Sequence, residues 1–324
     1  MVPRPLITRA IVLAGVVAAA VCCAAAIRPD KTASPAPMSA WWQSPDNLHA
    51  RDLFNGPWGA QNAPDPQAEY TFVRPKTGGF NPGVVVRDPQ GREWHVKQPS
   101  GRSGDEGPSE VVLSRVLSAL GYHQPPVYYL RSFKMRDKSG VHMVWGGRFR
   151  LDLPALTDQG EWSWQQNPFV GQRQYQGLLV ILLMFNSSDL KNSNNTLYEY
   201  KPSAGGAATY WYVVRDLGLC LGETGRFSPV RNNLDVFYRT QFITGERRGF
   251  IEFDFHGLNK GLVRNRITRD DVRWAAALIG GLSDRQWRDA FRAGGYSPDL
   301  AARFIKILQG RVSDAKRVDV IASR

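Results

Sequence analysis

The spacing of apolar residues changes character along the chain. From residue 69 to 153 it is mostly the two-residue alternation of strands, in short runs separated by turns. The strands predicted in this way are 70–73, 83–87, 93–97, 127–133, 141–145 and 147–153. A helix is predicted at 109–120, because Pro108 stands in its first turn and Gly121 directly follows it. This half of the pattern therefore predicts a β-rich lobe with one helix.

Longer helical periods dominate after residue 160. A helix at 172–185 contains the stretch Leu178–Met184, which is apolar nearly all round and is predicted to be deeply buried. A hairpin is predicted at 196–200 and 209–215, and the segment 221–265 is predicted to be irregular apart from a strand at 249–255. Three C-terminal helices, at 268–281, 283–293 and 297–311, have the N-cap residues Thr268, Ser283 and Ser297. The predicted fold class is therefore α+β, with a β-rich N-lobe and a mainly helical C-lobe.

The N-terminus has the pattern of a targeting segment. Two arginines precede an unbroken run of small apolar residues from Ala10 to Ile27, which ends in Ala24-Ala-Ala26. This pattern fits a cleaved signal peptide, but about 18 apolar residues also approach the length of a membrane anchor. Cys22 and Cys23 leave a lipoprotein open as a third form. In each form the remainder is expected to be exported, with any membrane attachment made through residues 10–27.

These patterns divide the chain into four predicted parts. Residues 1–27 are the signal peptide or membrane anchor, and 28–66 are a Pro-rich tether with an N-terminal arm. Residues 67–155 are the N-lobe and 156–324 are the C-lobe.

Charge narrows the class of ligand. The 324 residues include 41 Lys and Arg against 29 Asp and Glu, a formal charge of +12. This excess favours anionic ligands such as nucleotides, or it is simply a solvated basic surface. No nucleic-acid-binding motif or long basic run is present in the sequence, so no nucleic-acid partner is expected.

Polar residues that follow a predicted helix and a predicted hairpin have the side chains that phosphoryl transfer requires. Asp189, Lys191 and Asn194 follow the buried helix, and Asp216 ends the next hairpin. Such a site needs a carboxylate at the acceptor hydroxyl and a cation at the transferred phosphate. It also needs oxygen ligands for Mg²⁺, which an Asn amide and an Asp carboxylate supply.

The β-rich half contributes the candidates for nucleotide binding. Lys97 ends the third strand, as a phosphate-binding lysine should, and Glu110 lies in the first turn of the next helix, placed to pair with it. Gly78 and Gly79, in the loop between the first two strands, are candidates for covering the phosphates. That loop does not match the pattern G-x-G-x-x-G.

In these residues the chain resembles the protein-kinase-like superfamily. The run Asp189-Leu-Lys-Asn-Ser-Asn194 is similar to its catalytic loop, and Asp216-Leu-Gly218 is similar to its metal-binding Asp-Phe-Gly. The resemblance covers residues 68–315 and is closer to the atypical branches: HipA-like, phosphatidylinositol-kinase-like and secreted kinase-like proteins. It implies a two-lobed kinase fold with ATP and Mg²⁺ as cofactors. Asp189 and Lys191 would then be catalytic, Lys97 and Glu110 nucleotide-anchoring, and Asn194 and Asp216 metal ligands.

Three functions are compatible with this sequence. The first is an exported kinase-like phosphotransferase that uses Mg-ATP on an acceptor of unknown class. The second is an inactive, pseudokinase-like binding module of the cell envelope, favoured because ATP is scarce outside the cytoplasm. The third is an unrelated envelope protein with a fortuitous motif, which requires Lys97, Asp189 and Asp216 to lie far apart.

Overall fold

The computed structural model describes residues 36–77, 81–100, 105–202, 206–225 and 229–321, and these belong to one compact unit. The predicted leader, residues 1–27, and the loop glycines Gly78 and Gly79 lie outside the described residues, so their predicted roles stay predictions. None of the helices in the described part is long and apolar enough to cross a membrane.

The N-terminal lobe is a five-stranded barrel with one helix. Its elements are β1 (Glu69–Pro75), β2 (Gly83–Arg87), β3 (Glu93–Lys97), α1 (Gly107–Ala119), β4 (Val127–Asp137) and β5 (Gly140–Leu151). The strands close in the order β1-β2-β3-β5-β4, with the β1–β4 pair parallel and the others antiparallel. The two strands predicted at 141–145 and 147–153 are in fact one, because β5 continues through Gly146, whose φ of +71° suits glycine.

The C-terminal lobe is mainly helical. Its helices are α2 (Arg173–Met184), α3 (Leu234–Arg239), α4 (Arg269–Ile279), α5 (Asp284–Ala293), α6 (Pro298–Lys316) and α7 (Val318–Ile321). Its strands are β6 (Leu156–Asp158), β7 (Asn195–Tyr200) and β8 (Thr209–Val214) in one sheet, and β9 (Ile243–Arg247) with β10 (Phe250–Phe253) in another. The stretch 175–184 of α2 is wholly buried, as predicted. Capping boxes join Thr268 to Asp271 and Ser283 to Gln286, which confirms both predicted helix starts.

The strand predicted at 249–255 is confirmed as β10, but the segment 221–265 is more regular than predicted, because it also contains α3 and β9. Asn233 caps α3 by accepting a hydrogen bond from the Val236 amide. The hairpin turns through Arg248 and Gly249, both at positive φ, and only the glycine has the residue type usual for such a turn. An arginine in the left-handed region concealed the turn from the sequence pattern.

Two hydrophobic cores correspond to the two lobes. The barrel core is rich in aromatic side chains, including Tyr70, Trp94, Phe133 and Phe149. Helix α1 instead packs its apolar face, including Val112 and Val116, into the core of the helical lobe. The α+β, two-lobed arrangement is therefore confirmed, while the exact boundary between the lobes stays a prediction. Because α1 belongs to the second core, its first turn is held between the lobes.

Candidate active site

The loop that follows α2 is fixed by backbone hydrogen bonds on both sides. Asn186 adopts a left-handed conformation, with φ of +52°, and turns the chain out of the helix. The amide of Ser188 donates to the carbonyl of Leu219 at 3.1 Å, and the amide of Leu258 donates to the carbonyl of Ser188 at 3.2 Å. The loop is therefore tied to the segment that contains Asp216 before any ligand binds.

Within this loop the three predicted residues lie together. Lys191 Nζ lies 2.8 Å from Asp189 Oδ1, and the Asn194 amide nitrogen donates to the Asp189 carbonyl at 2.9 Å. The Asp189 side chain is 12% exposed, whereas that of Lys191 is 47% exposed. The Asp189 carboxylate is thus largely shielded from water and is paired with a half-exposed ammonium.

Lys97 is the point where three carboxylates meet. Its Nζ lies 2.7 Å from Glu106 Oε2, 3.2 Å from Asp216 Oδ1 and 3.5 Å from Glu110 Oε2. Lys97, Glu106 and Glu110 are all buried. Since Lys97 belongs to the barrel and Asp216 follows β8, their contact joins the two lobes. The predicted neighbour of Lys97, Glu110, is present but is the most distant of the three.

Glu106 was missed by the sequence reasoning. It stands at the N-cap of α1, where its Oε2 also accepts a hydrogen bond from the Asn81 amide nitrogen at 2.5 Å, and its Oε1 pairs with Arg231. A signal for it existed, because Glu106 and Glu110 are four residues apart and such pairs share one helix face. Arg231 gave no such signal, since nothing local in its sequence marks it as a partner of α1.

Asp216 combines an unusual backbone with a charged environment. Its φ is +52°, and the Arg215 amide donates to the Asn194 carbonyl at 2.7 Å, which places Asp216 beside the loop. Burial by itself would raise the pKa of the Asp216 carboxyl, but the Lys97 and Arg148 charges hold this pKa well below its ordinary value. Because folding lowers this pKa, the charged form stabilises the fold above about pH 4, and this contribution is lost as the pH falls further.

Arg148 adds a second buried cation beside Lys97. The two residues are directly paired between β3 and β5, and Arg148 Nε lies 3.1 Å from Glu110 Oε1. Glu110 therefore bridges two cations instead of serving Lys97 alone. The Nη1 of Arg148 is buried and has no hydrogen-bond partner in the described part of the chain.

The oxygen atoms available here fit a magnesium nucleotide. Within the described ranges, Oδ1 of Asn194 and Oδ2 of Asp216 make no hydrogen bond or ion pair, so both are free to accept. Two oxygen ligands suit Mg²⁺, which usually completes its shell with water and phosphate oxygens. Across the described ranges no group of three or more His, Cys, Asp or Glu forms a metal cage of protein ligands alone.

The structure thus brings predicted residues of both lobes together. Lys97 contacts both Glu110 and Asp216. The Arg215 amide joins the segment of Asp216 to Asn194, whose side chain contacts the Asp189 carbonyl. The hypothesis of a fortuitous motif required Lys97, Asp189 and Asp216 to lie far apart, and Lys97 and Asp216 are 3.2 Å from each other.

Replacement of Glu106 by glutamine is expected to lower the free energy of unfolding by about 2 kcal/mol, because Lys97 and Arg231 would lose their shared buried counter-charge. Urea denaturation of the full chain measures this loss. Glu252→Gln is the control, since Glu252 makes an exposed pair with Arg247 and should change stability by less than about 0.5 kcal/mol. Equal stabilities for the two variants would show that Glu106 does not hold the cleft together.

No family model and no curated protein matches the chain. Solved structures do resemble it. A proinflammatory kinase, CtkA, of Helicobacter pylori is 12% identical, with coverage of 79% of this chain and 99% of that chain and a TM-score of 0.46. The Golgi casein kinase with Mn and ADP bound is 10% identical, and the match covers 85% of this chain and 74% of that chain with a TM-score of 0.40. The Rio2 kinase of Chaetomium thermophilum, in an ADP/Mg²⁺-phosphoaspartate complex, is 12% identical. The match covers 76% of this chain and 72% of that chain with a TM-score of 0.35. Similarity at this level assigns no residue roles, which rest on the contacts described above.

Proposed function

We propose that this protein, which has a protein-kinase-like fold, is a phosphotransferase that uses Mg-ATP. One observation carries the proposal: Lys97 of the barrel contacts Asp216 of the helical lobe at 3.2 Å, beside the loop that holds Asp189. Phosphoryl transfer depends on positioning and on charge stabilisation, and this cleft assembles the groups for both.

Each residue then has a defined task. Asp189 accepts the proton of the acceptor hydroxyl as the acceptor oxygen bonds to the γ-phosphorus and ADP leaves. Lys191, on its half-exposed side chain, turns from Asp189 towards the transferred phosphoryl oxygens and offsets their charge. Asn194 Oδ1 and Asp216 Oδ2 would hold a Mg²⁺ ion, which would supply positive charge against the phosphates.

Lys97 is the anchor for the nucleotide phosphates. Three carboxylates surround its Nζ. Asp216 would share its charge between Lys97, through Oδ1, and a bound metal, through Oδ2. Lys97 would then offset phosphate charge while Glu106 and Glu110 orient its ammonium.

A binding module without catalysis is the second candidate, and one observation favours it. The charge of Lys97 is already offset by three carboxylates, so the cleft is stable without a nucleotide. In such a protein the cleft would serve a different ligand or partner.

Addition of millimolar Mg-ATP separates the two candidates. A kinase is expected to gain about 5 °C in Tm if the nucleotide is present at a hundred times its Kd, because a ligand that binds only the native state stabilises it. The full chain is measured by tryptophan fluorescence. Asp216→Asn should lose most of the gain, whereas Asp235→Asn, a change at an exposed residue of α3, should keep it. No gain in the unmodified protein would favour the binding module.

Export is the remaining part of the proposal. It is supported by the apolar run from Ala10 to Ile27 behind two arginines. Fractionation of cells that express the full chain tests it, and recovery of the protein solely from the cytosol would contradict it. An exported kinase would need a source of ATP in its compartment, which makes the nucleotide measurement above the more decisive of the two.

A further inference from the structure

A pocket of about 170 Å³ lies between the start of α2, the chain that precedes this helix and the segment between β10 and α4. Its lining includes Trp164, Val170, Tyr175, Gln176, Asn259 and Arg266. The first, third and fourth of these are buried and the other three are exposed, so the pocket has a buried floor and an open rim. Its size suits a small organic molecule and is below that of pockets for drug-sized ligands.

Two buried polar atoms of the pocket floor, Trp164 Nε1 and Gln176 Oε1, have no hydrogen-bond partner within the described residues. Trp164 is 0% exposed and Gln176 is 7% exposed. The Gln176 amide nitrogen donates to the Arg266 carbonyl at 3.2 Å, which holds this amide against the segment that forms another wall of the pocket. Buried polar groups without partners are costly, and a ligand with one acceptor and one donor would satisfy both atoms.

The charge of the pocket is positive. Arg266 is the one charged residue of its lining, and its guanidinium makes no hydrogen bond or ion pair with the described part of the chain. Burial raises the pKa of the Tyr175 hydroxyl and the Arg266 charge opposes this rise, so the guanidinium acts on the floor of the pocket. Because no carboxylate of the lining offsets this charge, the pocket favours an anionic group on its ligand.

Two residues of the pocket also support the loop of Asp189. The Asn259 amide nitrogen donates to the Leu190 carbonyl at 2.5 Å, and the Trp164 backbone amide donates to Asn192 Oδ1 at 3.0 Å. The pocket is nevertheless separate from the nucleotide cleft, because none of the residues proposed to bind the nucleotide or the metal lines it. A ligand here would contact the supports of the candidate active site without competing with ATP.

We propose that this pocket binds a small organic carboxylate that also carries a hydroxyl or an ammonium group. Arg266 and the Trp164 indole N–H hold the carboxylate oxygens, and Gln176 Oε1 accepts a hydrogen bond from the hydroxyl or ammonium group. The apolar side chains of Val170 and Leu262 contact the carbon skeleton. The proposal does not rest on phosphoryl transfer, since the same groups would bind this ligand in a protein that never used ATP.

Four probes of similar size test these contacts on the full chain. L-Lactate has a carboxylate and a hydroxyl, L-alanine has a carboxylate and an ammonium, propionate lacks the second group, and lactamide lacks the charge. Lactate or alanine is expected to shift one tryptophan indole N–H resonance saturably in ¹H–¹⁵N NMR, and Trp164→Phe identifies this resonance by its loss. The tighter of the two shows whether the second group is a hydroxyl or an ammonium. Propionate and lactamide should each bind about tenfold more weakly by calorimetry, because each leaves one group of the pocket without its partner.

Arg266→Gln should weaken binding of the tighter probe about tenfold and remove its advantage over lactamide, because a charge-assisted contact is lost. Gln176→Met should remove its advantage over propionate, since methionine offers the donor no carbonyl oxygen.

Arg264→Gln is the matched control, because Arg264 is also exposed on the segment before α4 but does not line the pocket. It should bind the probes as the unmodified protein does. Absence of a saturable shift with both lactate and alanine at tens of millimolar would overturn the proposal. Equal affinities of Arg266→Gln and Arg264→Gln would also overturn it, and these two exposed substitutions decide the matter even if Gln176→Met or Trp164→Phe fails to fold. The Mg-ATP thermal shift is independent of this result, so failure of the phosphotransferase would leave the pocket unaffected.

Discussion

Replacement of Asp189 by asparagine is expected to reduce phosphoryl transfer from Mg-ATP by about 10²–10⁴-fold, the usual contribution of a positioned acid or base. Asparagine has the same shape but cannot accept the proton of the acceptor hydroxyl. The measurement is release of labelled phosphate from γ-labelled ATP, either to water or onto the protein itself, since the natural acceptor is of unknown class.

Stability should change little in this variant. Asp189 contacts the half-exposed ammonium of Lys191, and partly exposed ion pairs contribute at most about 1 kcal/mol. The Asn194 amide nitrogen binds the backbone carbonyl of residue 189, which the substitution keeps. Loss of activity with an unchanged Tm therefore identifies a chemical role and not a folding defect.

Asp299→Asn provides the control, because Asp299 is exposed in the first turn of α6. It should transfer phosphate at the unmodified rate. If Asp189→Asn transfers phosphate as fast as this control, Asp189 is not the catalytic base. The Mg-ATP thermal shift remains interpretable in that case, because nucleotide binding depends mainly on Lys97 and Asp216.

Replacement of Arg311 by methionine is expected to lower the free energy of unfolding by about 3–5 kcal/mol. Arg311 is 4% exposed on α6, and it donates to carbonyl oxygens of Met184, Phe237 and Thr240 and to Asn186 Oδ1, at 2.8–3.3 Å. Methionine fills much of the space but leaves these buried acceptors without donors.

Arg311 also supports the candidate active site. Asn186, which it holds at 2.8 Å, is the left-handed residue that turns the chain from α2 into the loop of Asp189. Arg311→Lys, which keeps the charge but has fewer donors in a different geometry, should therefore lose both stability and phosphoryl transfer to an intermediate extent.

Urea denaturation measures this effect, with Arg303→Met as the control. Arg303 lies on the same helix but is 66% exposed, with its Asp235 partner at 3.8 Å, so its loss should cost less than about 0.5 kcal/mol. A similar midpoint for the Arg311 and Arg303 variants would show that the buried network adds nothing to stability.

Much of the fold is readable from local pattern. The burial of α2 follows from a stretch that is apolar all round, and the starts of α4 and α5 follow from their capping residues. The β9–β10 hairpin is not readable in this way, because Arg248 adopts a left-handed conformation that its residue type disfavours. Local preference predicts an element only where the tertiary structure does not override it.

The candidate site also has features that local pattern predicts and features that it does not. The order of Lys97, Asp189, Asn194 and Asp216 along the chain was enough to predict that they share a cleft, since each follows a strand or helix whose end is set by local pattern. Residue order does not specify distances between lobes. The sequence pattern therefore selected Glu110 as the partner of Lys97, whereas in the structure Glu106 is closer, at 2.7 Å.

The sequence by itself determined the α+β class, most of the helices and strands and the residue types available for phosphoryl transfer. Only the tertiary structure decided that Arg231 neutralises Glu106 and that Arg148 shares Glu110 with Lys97. The physical reason is that spacing along the chain governs local hydrogen bonding and amphipathic faces. Pairing of buried charges instead depends on which side chains meet when separate elements pack, and no local pattern encodes that encounter.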